Sequence, residues 1–126
     1  MGKRMSQGDP ARLLAAEVLI EVESKGAFAN LVLPKALRAE QTSNKRFDFR
    51  DSSFTSELVY GTIRQQGFLD FALAPHSQIP LADLDVAVLV CLRMGAYQLL
   101  FMRVPDHAAI GETVGVARTL AGEKPS

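Results

Sequence analysis

Residues 86–102, VAVLVCLRMGAYQLLFM, decide the architecture, because a run this apolar is either a membrane span or the inside of a helical core. A span needs about 20 apolar residues. This stretch is shorter and is interrupted by Arg93 and Gln98, so it reads as a buried helix, apolar nearly all round, at the centre of a globule. Asp83 or Asp85 supplies its cap, and it ends near Met102.

Working outward, Pro105 and Asp106 open a last helix, whose narrow apolar stripe is Ile110, Val114, Ala117 and Ala121. On the other side, SELVYGTIRQQGFLD at 56–70 continues a helix that starts near Asp51 or Ser52. At 100° per residue, Phe54, Leu58, Val59 and Ile63 share one half of its wheel, while Glu57, Tyr60 and Arg64 share the other. Gly61 lies at the seam, where a glycine costs a helix about 1 kcal/mol relative to alanine. Its presence predicts a neighbouring helix passing close. Gly67 bends the chain into a short helix, Phe68 to Leu73, closed by Pro75.

Nearer the start, Asp9 and Pro10 form a cap and first turn, and Leu14, Val18 and Val22 recur every four residues as far as Ser24. Arg12, Glu17 and Glu23 are left for water, and Gly26 ends the helix. A second helix is expected from Asn30 to about Ala39, although Pro34 is tolerable only within the first turn. Residues 40–51, EQTSNKRFDFRD, have no period and read as a polar loop. No stretch alternates apolar and polar residues as a strand would. The expected fold is all-α, a bundle of about five to seven helices.

Composition agrees with a single soluble domain of 126 residues, 48% hydrophobic and 22% charged. The net charge of zero hides an asymmetry. Residues 1–50 hold nine Lys and Arg against six Asp and Glu, a net +3; residues 51–126 hold five against eight, a net −3. An anionic partner is therefore favoured at one end. One cysteine, Cys91, excludes an internal disulfide and any multi-cysteine metal site, which fits a reducing cytoplasm. Within its apolar run it is a core thiol. The opening MGKRMSQGDP has no apolar stretch behind its charges and is neither signal peptide nor anchor.

Groups that could carry chemistry are scattered. His76 and His107 have no partner at metal-ligand spacing, so no metal is assigned. GVARTLAGEKPS lacks the strand and spacing of a phosphate loop, and no glycine-rich strand-to-helix turn is present for a dinucleotide or for S-adenosylmethionine. What remains is a basic set: Lys3, Arg4 and Arg12 at the front, Lys45, Arg46 and Arg50 in the loop, and Arg64 beside Tyr60. Guanidinium groups bind phosphate oxygens bidentately and a tyrosine can stack on an unpaired base, so the set suits irregular or single-stranded RNA.

Three stretches carry a resemblance: ARLLAAEVLIEVESKGAFANLVL at 11–33, SELVYGTIRQQGFLD at 56–70 and RMGAYQLLFMRVPDHAAIGETVGVA at 93–117. In order and spacing they resemble the NusB-type domain, most closely the version at the N-terminus of the RsmB (Sun/Fmu) ribosomal RNA cytosine-5 methyltransferases. The resemblance covers residues 10 to about 122. It implies an all-α RNA-binding domain that precedes a Rossmann-like methyltransferase domain and helps engage small-subunit ribosomal RNA. It places Arg4 and Arg12 where that family contacts RNA, with Tyr60 and Arg64 near the same surface.

The resemblance also implies one further helix after Gly122. The expectation is therefore a leader at 1–9, a NusB-like domain at 10–122 lacking its last helix, and a tail at 123–126. Apolar surface left open by that helix would drive pairing with a second copy. Catalysis, with S-adenosylmethionine as cofactor, would belong to a C-terminal methyltransferase domain of the parent protein. The competing expectations are a protein-interaction module with incidental charge and a stand-alone NusB-type transcription antitermination factor.

Overall fold

The computed structural model describes residues 9–122, and every regular element among them is helical. In chain order these are α1 (Pro10–Lys25), α2 (Ala29–Ser43), α3 (Phe49–Arg64), α4 (Gln66–Leu73), α5 (Val86–Phe101) and α6 (Asp106–Leu120). Two single 3₁₀ turns, Ala74–His76 and Leu81–Asp83, bridge α4 and α5. The fold is an all-α bundle, as expected.

Local chemistry sets most of the boundaries. Asp9 accepts the Arg12 N–H at 2.8 Å, Pro10 takes the first helical position, and Gly26 closes α1 at φ 66°, the left-handed region glycine tolerates. Asp85 caps α5 by accepting the Ala87 N–H. The stretch expected to be a loop is mostly helix: α2 runs on to Ser43, and only residues 44–48 separate it from α3. Thr42 and Ser43 turn their hydroxyls back onto the Arg38 and Ala39 carbonyls, so these polar side chains are satisfied within the helix and do not cap it earlier. Pro34 sits inside α2 rather than in its first turn. Its missing N–H leaves the Asn30 carbonyl free, but both residues are exposed and water can serve it. The start of α3 also lies earlier than expected. Asp48 and Asp51 form a reciprocal capping box, each carboxylate accepting the other's backbone N–H, at 3.1 and 3.0 Å.

The centre is shared by α1 and α5, and α5 packs against α1, α3, α4 and α6. α1 packs against α2, α3, α5 and α6, and its fully buried Ala15 and Ala16 let those neighbours approach closely. Around it Leu19, Leu33, Leu58, Val59, Leu69, Val90, Met94 and Val116 form the core. α5 buries one side only. Val88, Leu92 and Leu99 are 40–43% exposed, because no described residue covers that face. The stripe expected to face inward from α6 also faces out: Ile110 is 54% and Val114 44% exposed, Ala121 is exposed and Ala117 half-buried. α6 instead buries Ala109, Thr113 and Val116. The Thr113 methyl lies against Gly95 and its hydroxyl accepts from Gln98 Nε2 at 2.9 Å, so the small residues make the contact and the bulky ones are left outside.

The two polar residues that interrupt the 86–102 run are ties between helices. Gln98, fully buried, also donates to the Met94 carbonyl and accepts from Arg12 Nε at 2.7 Å, joining α1, α5 and α6. Arg93 grips Asp70 of α4 with two parallel bonds of 2.8 and 2.9 Å and reaches Glu23 of α1 at 3.0 Å. Burial works against its charge, yet the two carboxylates hold its pKa above the usual value.

Candidate nucleic-acid interface

The outer face of α3 brings part of the expected basic set into line. Arg50 and Arg64 are 14 residues apart, which places them roughly 40° from each other on the wheel and roughly 21 Å apart along the axis. Ser53, Glu57 and Tyr60 fall between them on the same face, and Arg50, Tyr60 and Arg64 are all exposed. Lys45 and Arg46 are exposed in the turn at the head of the helix, where the Arg46 N–H donates to the Asn44 side chain. The arrangement is a row of cations with a phenol in it.

α3 is held in that attitude from beneath. Tyr97 of α5, 3% exposed, lies under Gly61, so close that a Cβ there would stand 2.1 Å from the ring. The close helix passage expected at Gly61 is therefore present. The Tyr97 hydroxyl donates to Glu57 at 3.4 Å and accepts from Arg64 at 3.5 Å, long contacts that link the buried ring to the charged outer row. Burial first, and then the Glu57 carboxylate, raise the Tyr97 phenol above its ordinary pKa.

Arg12 is elsewhere. Expected on a solvent face, it is 6% exposed: its guanidinium bonds Asp9 and Gln98 and lies 4.6 Å over the Phe54 ring. The reason is the position of Gln98, which draws the side chain inward between α1, α3 and α5. Its donors serve the fold. Arg4 lies outside the described residues.

Three features escaped the sequence reading. Phe49, the first residue of α3, is 82% exposed, beside Arg50 and following Lys45 and Arg46. The alternation of phenylalanine and aspartate there was the available signal, but it reads equally as two core rings; only Phe47 is buried. The second is an exposed aromatic edge where Phe68 meets Phe101 at 5.8 Å, with Phe101 stacked on Tyr97 at 5.3 Å. The third is an open depression of about 440 Å³ lined mainly by Leu73, Ile79, Leu81, Leu84 and Leu92.

Other chemistry has little to work with. His76 and His107 are exposed, and no group of three His, Cys, Asp or Glu among the described residues is placed to hold a metal ion. Cys91 is buried, and desolvation pushes its thiol up to about 11, far from a nucleophile's range. No strand is present among the described residues to carry the glycine-rich turn that an S-adenosylmethionine site would need. No helix among them is long and apolar enough to cross a membrane.

An all-α bundle with an arginine and tyrosine row along one exposed helix defines the class, and comparison with known proteins gives the family. The NusB family matches residues 9–126, and the chain belongs to it. It is 38% identical, over 96% of its length, to a protein of Mycobacterium tuberculosis named by inference as a methyltransferase. It is 42% identical, over 86% of its length, to ribosomal RNA small subunit methyltransferase B of Pseudomonas putida, and 40% identical to that of Pseudomonas syringae. The chain spans only 23–29% of the length of these relatives. No solved structure matches it.

Proposed function

We propose that this chain is the RNA-binding part of a ribosomal RNA cytosine-5 methyltransferase, and that it holds small-subunit ribosomal RNA for a catalytic domain carried by the rest of the parent protein. The observation that carries the reading is the single exposed face of α3 bearing Arg50, Tyr60 and Arg64, headed by Lys45 and Arg46. The names of the relatives support it. Phosphate oxygens are held by the arginines and the lysine, and an unpaired base is stacked by Tyr60. Arg12 stays out of the contact, because its donors are bound within the fold. S-adenosylmethionine and methyl transfer belong to the catalytic domain, and the compartment is the cytoplasm.

Binding of the chain to small-subunit ribosomal RNA fragments is expected to weaken steeply with salt. Arg50→Ala and Arg64→Ala are each expected to lower the log-log slope by about one unit, whereas Lys25→Ala, at the far end of α1, leaves it unchanged. Salt-independent binding, or arginine variants with the slope of the unaltered chain, would overturn the reading.

A second reading is favoured by a different face. Val88, Leu92, Gly95 and Leu99 of α5 recur at spacings of four, three and four, as do Ile110, Val114, Ala117 and Ala121 of α6, the spacing of a helix–helix seam. With a four-residue connection α5 and α6 are antiparallel neighbours, and their wheels place both stripes on one side of the pair. That surface suits a protein contact. It would pack against the methyltransferase domain of the parent, and in the isolated chain against a second copy.

A further inference from the structure

We infer that Phe49 is a base-stacking residue, so that α3 offers two aromatic rings to one unpaired RNA strand; this rests on the RNA-binding reading above. Phe49 is the most exposed of the large hydrophobic residues described, at 82%. Exposed apolar residues are common singly, so exposure alone assigns nothing. The setting does. Phe49 and Tyr60 are eleven residues apart, which puts them about 20° from each other on the wheel and roughly 16 Å apart along it. Both rings therefore stand on the same face of α3, with Arg50 at one end and Arg64 at the other. Lys45 and Arg46 precede Phe49 in the same exposed turn.

Three carboxylates, Asp48, Asp51 and Glu57, lie among the four cations Lys45, Arg46, Arg50 and Arg64, so the track keeps a net positive charge. Asp48 and Asp51 accept each other's backbone N–H in the capping box, which fixes both side chains against the head of α3 and, chiefly through that backbone bond, holds Asp48 ionised. The other exposed phenylalanines are placed differently: Phe28 stands between two alanines, Phe71 follows Asp70, the partner of Arg93, and Phe68 and Phe101 pack on each other. Aromatic rings interleaved with basic side chains along one track are how proteins hold single strands without reading every base, because each base has a face to stack. A duplex offers no free face to Phe49, so the chemistry selects an unpaired segment.

The sequence contains no tryptophan, which makes the test direct. Phe49→Trp gives the 126-residue chain one indole, and a single-stranded oligoribonucleotide of small-subunit rRNA sequence should quench its emission; the same oligonucleotide annealed to its complement should not. Phe71→Trp, exposed on α4, is the control and should stay unquenched. Phe49→Leu should weaken single-strand binding by about 5- to 100-fold. It should leave the salt slope intact, since no phosphate contact is lost. An unaltered chain that fails to bind the strand overturns the RNA reading and this inference together. A chain that binds, but whose affinity is indifferent to Phe49→Leu, overturns the stacking role alone, as does equal quenching at both indoles.

Discussion

At position 61 the absence of a methyl group decides how closely α5 can cross α3. A Cβ at Gly61 would meet the Tyr97 ring at 2.1 Å, and that buried ring, stacked on Phe101, would have to shift to admit it. Gly61→Ala gains helix propensity of about 1 kcal/mol but overpacks a filled site, which costs about 1–3 kcal/mol. The clash wins, and urea unfolding should show a net loss of about 1 kcal/mol. Adding Tyr97→Leu should recover most of it. Glu17 shows the electrostatic counterpart. Burial first and the Glu40 carboxylate second raise its pKa, so the folded protein holds that proton more tightly than the unfolded chain does. The resulting penalty is complete above the raised folded value and vanishes below the unfolded one. Glu17→Gln should therefore raise Tm at neutral pH, with the gain fading as pH falls through the carboxylate range.

At the scale of elements, the sequence carried most of the boundaries that rest on capping chemistry. Asp9, Pro10, Gly26, Asp85 and Pro105 mark helix ends where the structure has them, because each acts through its own backbone or its nearest neighbours. The misses share a cause. The end of α2 is solvated and polar, which leaves no apolar period, and the α3 cap uses a pair of aspartates instead of the usual serine and glutamate. Which side of α6 faces inward was misread for another reason. Ile110 and Val114 are the more apolar choice, but Gly95 and Thr113 allow the nearer approach, and the neighbour's shape settled the orientation. In the candidate site, Tyr60 and Arg64 were legible from the wheel, whereas the burial of Arg12 depends on Gln98, 86 residues away in sequence.

Across the whole molecule, two polar ties fix how an otherwise aliphatic core is assembled. Arg93 with Asp70 and Glu23, and Arg12 with Gln98 and Thr113, each demand one placement of three helices, which leucine and valine alone would not. Outside that frame, the paired stripes of α5 and α6 leave apolar surface in contact with water. Sedimentation of the chain should show concentration-dependent dimers, and Leu99→Glu, exposed and clear of both ties, should abolish them while far-ultraviolet circular dichroism stays the same. A monomer at every concentration would refute self-pairing through the stripes.

Tyr60 and Tyr97 are the only tyrosines, and the chain has no tryptophan. Tyr60 stands on the outer face of α3, and the hydroxyl of Tyr97 touches Glu57 and Arg64 from below. All of the protein's native ultraviolet fluorescence beyond phenylalanine thus originates where α5 crosses beneath α3. The molecule carries its own lamp at the place where a ligand would cast its shadow.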